Sequence, residues 1–206
     1  MMLLYQTHSP FARKVLVMAH ETGLADRMEV IHHETSPVRR NVAVHELNPL
    51  GKVPVLICDD GVALFDSTVI CAYLDGLHQG ARLIPESGSA RWLALRLEAL
   101  AGGMAEAGSA YRWETTRRPE DLRWRPMADG QAGKLRDAYD FIEQQVDLGG
   151  PLDIGQIALA TTLDWLAFRR LPWLGDRHHR LAAWYRNFAQ RPSMARTPMQ
   201  GETRDA

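Results

Sequence analysis

Apolar positions in the first third of the chain follow two different periods. Short apolar runs at residues 3–5, 28–33 and 53–58 read as strands. The last is apolar almost throughout, as expected of a strand buried on both faces. Residues 10–22 and 41–47 read as helices between them. The first opens on Ser9-Pro10 and stops at Gly23; the second is weaker and ends at Asn48-Pro49-Leu50-Gly51. The first strand–helix–strand unit implies a right-handed parallel crossover. Asp59-Asp60-Gly61 supplies turn chemistry, after which residues 62–65 return antiparallel and a helix over 67–78 closes the unit.

After residue 80 the pattern is almost wholly helical. Gly80, Pro85 and Gly88 mark a linker, assigned to residues 80–89. Leu93, Leu97, Leu100, Ala101 and Met104 recur at helical spacing and predict a long helix over 89–111. Its Gly102-Gly103 pair predicts a bend or a close helix contact. Residues 115–129 are polar and poorly periodic and read as a loop. Helices follow at 130–146, 154–171 and 178–191, the second with Asp153 as N-cap and Gln156 completing a capping box. The expected architecture is therefore α/β: a thioredoxin-like domain over residues 1–79, with the order β-α-β-α-β-β-α, followed by an all-α domain over residues 90–206.

Composition narrows the function. The 24 Lys+Arg and 25 Asp+Glu of the 206 residues nearly cancel, which removes the electrostatic argument for nucleic-acid binding. No apolar run reaches the roughly 18 residues needed to span a bilayer. The start of the chain does not read as a signal peptide, since Gln6 to Ser9 interrupt it and Arg13 and Lys14 follow. Cys58 and Cys71 cannot form a disulfide framework or a four-cysteine zinc site, and read as buried small hydrophobes. A cytoplasmic protein without a metal is expected. His32-His33 and His178-His179 do not change this, because neighbours on a strand face opposite sides.

Three stretches carry candidate chemistry. Thr7-His8-Ser9-Pro10-Phe11 joins the first strand to the first helix, where a thioredoxin-like fold places its reactive sulfur. Ser9 caps that helix or meets a ligand there, and the stretch has no cysteine for thiol–disulfide exchange. Pro54 opens a buried strand with either a cis or a trans bond; a cis bond would expose the backbone of Val53. Asp66-Ser67 begins the last helix of the small domain, where free N–H groups attract a carboxylate and the Asp side chain can hold an ammonium.

In this order and spacing, Ser9-Pro10 with Lys14, Asn48-Pro49-Leu50-Gly51-Lys52-Val53-Pro54 and Asp66-Ser67 resemble the glutathione S-transferases. The resemblance runs through Ile157-Ala158-Leu159-Ala160 to Trp184 and Arg191-Pro192-Ser193, so it covers the whole chain. It is nearest to the bacterial YibF-like branch. It implies a transferase that binds reduced glutathione as co-substrate and directs its thiolate at a small, apolar electrophile, as in detoxification. The same fold serving only as a binding or interaction module is the alternative. Ser9 would donate to the glutathione sulfur, with Phe11 beside it. Val53, before a cis Pro54, would pair with the cysteinyl backbone. Asp66 and Ser67 would hold the γ-glutamyl end, and Lys52 and Arg39 the glycine carboxylate. Tyr5, at the end of the first strand, is the other candidate for the sulfur. Family members more often carry Glu or Gln where Asp66 stands, and Ser/Thr-x-x-Asp where this chain has Asp153-Ile154-Gly155-Gln156. Met104, Tyr111 and Trp165 are candidates for an apolar second pocket or for the core. The resemblance also implies a homodimer.

Overall fold

A computed structural model describes residues 1–175 and 177–202. Four strands, β1 (Met2–Tyr5), β2 (Glu29–His32), β3 (Val55–Ile57) and β4 (Ala63–Leu64), form one sheet in the order β2-β1-β3-β4. β1 and β2 run parallel; β3 is antiparallel to both β1 and β4. Helices α1 (Pro10–Glu21), α2 (Val42–Leu47) and α3 (Ser67–Asp75) complete the α/β half. The long α4 (Gly88–Arg112), α5 (Arg125–Gln145), α6 (Ile154–Phe168), α7 (His179–Phe188) and the single-turn α8 (Pro192–Ala195) make the helical half.

The alternation of a strand separates the core into layers. Leu3 and Leu56 join α1 and α3 in the larger cluster, which also takes in Ile154 and Ile157 of α6; Leu4 and Val55 face the other way, onto Val44 of α2. α6 is apolar on nearly all sides and therefore lies at the centre, against both α1 and α4. At Gly155 an added Cβ would lie 2.6 Å from the Ala94 carbonyl oxygen, so only glycine lets these helices approach so closely.

Polar contacts also join the two halves. Lys14 Nζ lies 2.7 Å from Glu98 Oε1, with both side chains buried. Arg13 pairs with Asp164, and Glu21 accepts two bonds of 2.8 Å from Arg191 and one of 2.5 Å from Ser193. Asp75 caps the connecting segment by accepting from the N–H groups of Leu83 (2.8 Å) and Ile84 (3.2 Å).

Several expectations are corrected. α4 runs unbroken through Gly102-Gly103 and makes no close helix contact there, since an added Cβ would meet nothing within 4 Å; the close contact is at Gly108, 2.7 Å from a Leu166 methyl. Residues 115–129 are not one loop. The chain passes through a π-helical turn (Trp113–Arg117) and a 3-10 turn (Glu120–Leu122), and α5 starts at Arg125, five residues before the expected 130. A distant carboxylate explains that start: Glu114 Oε2 accepts from the Trp124 N–H at 2.9 Å, and Pro126 sits in the first turn. Asp153 does cap α6 (2.9 Å to the Gln156 N–H), but the Gln156 side chain donates to the Leu148 and Gly150 carbonyls, so the reciprocal box does not form. α3, α6 and α7 end at Asp75, Phe168 and Phe188, a turn or less before their expected limits, and α8 was not expected.

Candidate active site

A cleft of about 460 Å³ lies where the end of the sheet meets the C-terminal part of α4. Ser9, Phe11, Lys52, Val53, Pro54, Asp66 and Ser67 all line it. Each is delivered by local chemistry that its sequence explains. Ser9 is the N-cap of α1, in extended conformation (φ −94°, ψ 121°), and its Oγ accepts from the Ala12 N–H at 3.2 Å. That bond uses an acceptor site of the hydroxyl and leaves its O–H to donate into the cleft. Asn48, 3% exposed, shapes the next segment. Its side chain donates to the Lys52 carbonyl (2.9 Å) and accepts from the Leu50 N–H (3.1 Å), while Gly51 turns with φ +62°. The Val53–Pro54 bond that follows is cis, as is Phe65–Asp66. Asp66 then caps α3, its Oδ1 accepting from the Thr68 N–H at 3.0 Å, and Ser67 is buried behind it.

Two candidates lie elsewhere. Tyr5 packs edge-on against His32 (centroids 5.8 Å apart) and borders a different hollow, with Arg13, His20 and Gln200. Arg39 is exposed and outside the cleft lining; its backbone N–H donates to the Ser36 carbonyl at 3.2 Å. Of the three residues considered for a second pocket, Trp165 lines the cleft, whereas Met104 and Tyr111 pack into the helical core. Cys58 and Cys71 are both buried and unpaired by disulfide, and burial pushes the Cys71 thiol up to about 12. His32 pairs with Glu34 and His178 with Asp140, and no group of three metal-ligating side chains occurs among the described residues.

The sequence reading did not anticipate the wall supplied by the helical half. Glu106, Ser109, Arg112, Trp113 and Arg117 line the same cleft. Its only signal in the sequence is the run of arginines at 112, 117 and 118 just past a helical period.

Two family models match the chain: the glutathione S-transferase N-terminal domain over residues 8–77 and the C-terminal domain over residues 97–187. The GST-like protein YibF of Escherichia coli K12 is 31% identical over 195 residues, covering 92% of this chain and 94% of its own. The chain belongs to the glutathione S-transferase family. A glutathione transferase family member from Pseudomonas fluorescens Pf-5, crystallised with bound glutathione, shares 41% identity and a TM-score of 0.93 over 97% of this chain and 99% of its own. The same relative with bound S-(propanoic acid)-glutathione aligns with a TM-score of 0.89 over 98% and 100%. A glutathione S-transferase from Methylobacillus flagellatus KT, also with glutathione, is 32% identical with a TM-score of 0.84, over 97% and 99% of the two chains.

Next to Ser9, His8 is 4% exposed, and burial, followed by the nearby Arg169 charge, lowers its pKa to about 4. Glu34, His32 and the Gln200 backbone also face it; Glu34 and the Gln200 backbone oppose the shift and His32 adds to it. The unfolded imidazole titrates near 6.5, so between about pH 6.5 and 4 the unfolded chain takes up a proton that the fold refuses. Stability is therefore expected to fall as pH drops through that window. Urea midpoints at about pH 7 and about pH 5 should differ less in His8→Gln than in the parent protein. An equal difference in both would assign the acid sensitivity to other groups.

Proposed function

We propose that this protein is a glutathione transferase that activates the thiol of bound glutathione for attack on a small electrophile. The observation that carries this is the convergence of Ser9, Val53-Pro54 and Asp66-Ser67, from three separate segments, on one cleft. In this reading the Ser9 hydroxyl donates to the sulfur, helped by the positive end of α1. The Val53 backbone pairs with the cysteinyl unit, Asp66 and the α3 N-terminus hold the γ-glutamyl end, and Lys52 neutralises the glycine carboxylate. Arg39 is left out of the site. The Pseudomonas relative's thioether ligand supports a cleft that accepts a substituent on sulfur.

Residues 1–79 would be the glutathione-binding domain and 90–206 the domain supplying the second pocket, joined by 80–89; the two family models fall on either side of that junction. A homodimer, a cytoplasmic location and a detoxifying role belong to the same proposal. Light scattering that gives a monomer mass at micromolar concentration would reject the dimer.

Isothermal titration with reduced glutathione at neutral pH tests the reading. Saturable binding is expected, and no heat at millimolar ligand would overturn it. Binding without turnover across a panel of electrophiles and peroxides would instead favour a non-catalytic binding module, a reading to which the shorter arm of Asp66 lends some weight.

A further inference from the structure

The cleft does not end at its helical wall. Along Pro37, Trp113 and Arg117, which line both, it continues into a hollow of about 440 Å³. Val38, Pro119 and Leu122 make the rest of that hollow with Arg118, and its lining is almost wholly apolar. The two arginines fit such a lining because their charged ends are engaged: Arg118 donates to Glu114 at 2.7 Å, and Arg117 lies over the Trp113 ring, 4.1 Å from its centroid. Their aliphatic stems are compatible with apolar surface.

The two sides come from distant segments, and each is braced by bonds of its own. Between β2 and α2, the Val38 N–H donates to Ser36 Oγ (3.3 Å) and the Arg39 N–H to the Ser36 carbonyl (3.2 Å), which makes a tight turn around Val38. Asn41 ties the end of that segment by donating to the Glu34 carbonyl at 2.9 Å. On the helical side, α4 passes into the π-helical turn, where the Arg118 N–H donates to the Trp113 carbonyl at 2.9 Å, and the buried Glu114 carboxylate accepts from the Trp124 N–H at 2.9 Å. The 3-10 turn between them closes with the Leu122 N–H on the Pro119 carbonyl (3.0 Å), and Arg123 Nε donates to the Arg118 carbonyl (3.0 Å). Both walls are built before a ligand arrives, so little ordering is needed on binding. Val38 is nonetheless 64% and Leu122 60% exposed. One exposed aliphatic side chain needs no explanation. Two that line one hollow, opening off a binding cleft, leave apolar surface in water for a ligand to cover.

We propose that this hollow takes the tail of the second substrate, so that the electrophile carries an elongated alkyl chain and not only a compact apolar group. The chain would run from the sulfur past Trp113 and lie between Val38 and Leu122. This rests on the binding of glutathione proposed above. Ser9, Val53, Pro54, Asp66 and Ser67 line the cleft but not the hollow, so a compact group held beside the sulfur stays short of it and only a longer one enters. Met104 and Tyr111, which could have closed a compact apolar pocket, are taken up by the helical core. Selection then rests on burial alone, at roughly fourfold in affinity for each methylene fully covered.

The test is isothermal titration of reduced glutathione and of S-methyl-, S-butyl- and S-octylglutathione. With about three methylenes covered, the parent protein should bind the octyl form about fiftyfold more tightly than the methyl form, most of the gain appearing between butyl and octyl. Val38→Ser and Leu122→Ser should each weaken octyl binding about threefold and the double variant about tenfold. Affinities for glutathione and the methyl form should stay within about twofold, with unchanged melting curves, because both side chains are exposed. A gain already complete at butyl would overturn the slot in favour of a compact pocket beside the sulfur. Equal affinity for all chain lengths, or a gain that survives the double variant, would overturn it too. A parallel loss of glutathione affinity would do the same, by assigning Val38 and Leu122 to the tripeptide. Failure of the parent protein to bind glutathione or any of the thioethers is a separate outcome, which removes the underlying reading and this one with it.

Discussion

Replacing Lys14 with Met is expected to destabilise the fold by about 3–5 kcal/mol, a large part of the ~5–15 kcal/mol that holds a domain together. Lys14 projects from α1 into the seam between the two halves, where its ammonium lies 2.7 Å from Glu98 of α4 and 3.5 Å from the Thr68 hydroxyl. The side chains are only 7% and 4% exposed. Methionine fills similar space but leaves the Glu98 carboxylate buried without its cation, and the cost comes from that desolvated charge. Lys14→Met/Glu98→Leu, with both charges gone, should therefore recover most of the loss. Urea denaturation of the parent, the single and the double variants measures this directly. A single variant within about 1 kcal/mol of the parent would mean that water reaches the pair and it carries little.

Ser9→Ala should raise the pKa of the bound glutathione thiol by about one unit for each ~1.4 kcal/mol of hydrogen bonding lost from the thiolate. The sign follows from the charged form being the one stabilised: a donor to S⁻ lowers the pKa, and its removal raises it. A thiol with pKa about 8.5 is roughly 3% ionised at pH 7, and one brought down by ~2 units is roughly 75% ionised. The weaker basicity of such a thiolate takes back much of that gain, leaving about threefold in rate, so most of any acceleration must come from holding the acceptor beside the sulfur. Binding itself should persist, because Val53, Asp66 and Ser67 contact other parts of the tripeptide in this reading. Losing the cap costs about 1 kcal/mol of stability, so melting curves accompany the assay. The measurement is thiolate absorbance of the bound ligand against pH in the parent protein, Ser9→Ala and Tyr5→Phe. A shift in Tyr5→Phe alone would move the role to Tyr5, despite its position on His32 outside the cleft. No shift in either would leave the helix end and backbone as the activating groups.

Position in the motif does not by itself give the role of a residue. Lys14 belongs to the same Ser-Pro-x-x-x-Lys signature as Ser9, yet one faces the seam and the other the cleft. Position along α1 separates them: Ser9 ends the chain's approach to the helix, while Lys14 sits a turn inside it, where its ammonium reaches Glu98 of α4. Lys52 was the first candidate for a carboxylate partner and Arg39 the second, and the path of the chain between β2 and α2 leaves Arg39 outside the cleft that Lys52 lines.

What was legible in the sequence is what neighbouring residues decide among themselves. The Ser9 and Asp153 caps, the turn at Gly51 and the Asp66 start of α3 each depend on hydrogen bonds or steric limits reaching four residues or fewer, and the strands show in the local run of apolar residues. Gly102, Gly103 and Gly108 look alike at that range. Only the packing of α4 on α6 shows that Gly108 is needed against Leu166 and that the other two touch nothing. The π-helical turn and the early start of α5 escaped for the same reason. Both rest on Glu114 reaching Trp124 ten residues away, and a pattern read in windows of helical length does not register a bond between segments that only the folded chain brings together. The cleft wall that carries Arg112 and Arg117 adjoins that bond and belongs to the tertiary structure, while the wall lined by Ser9, Val53-Pro54 and Asp66-Ser67 was written in three local motifs.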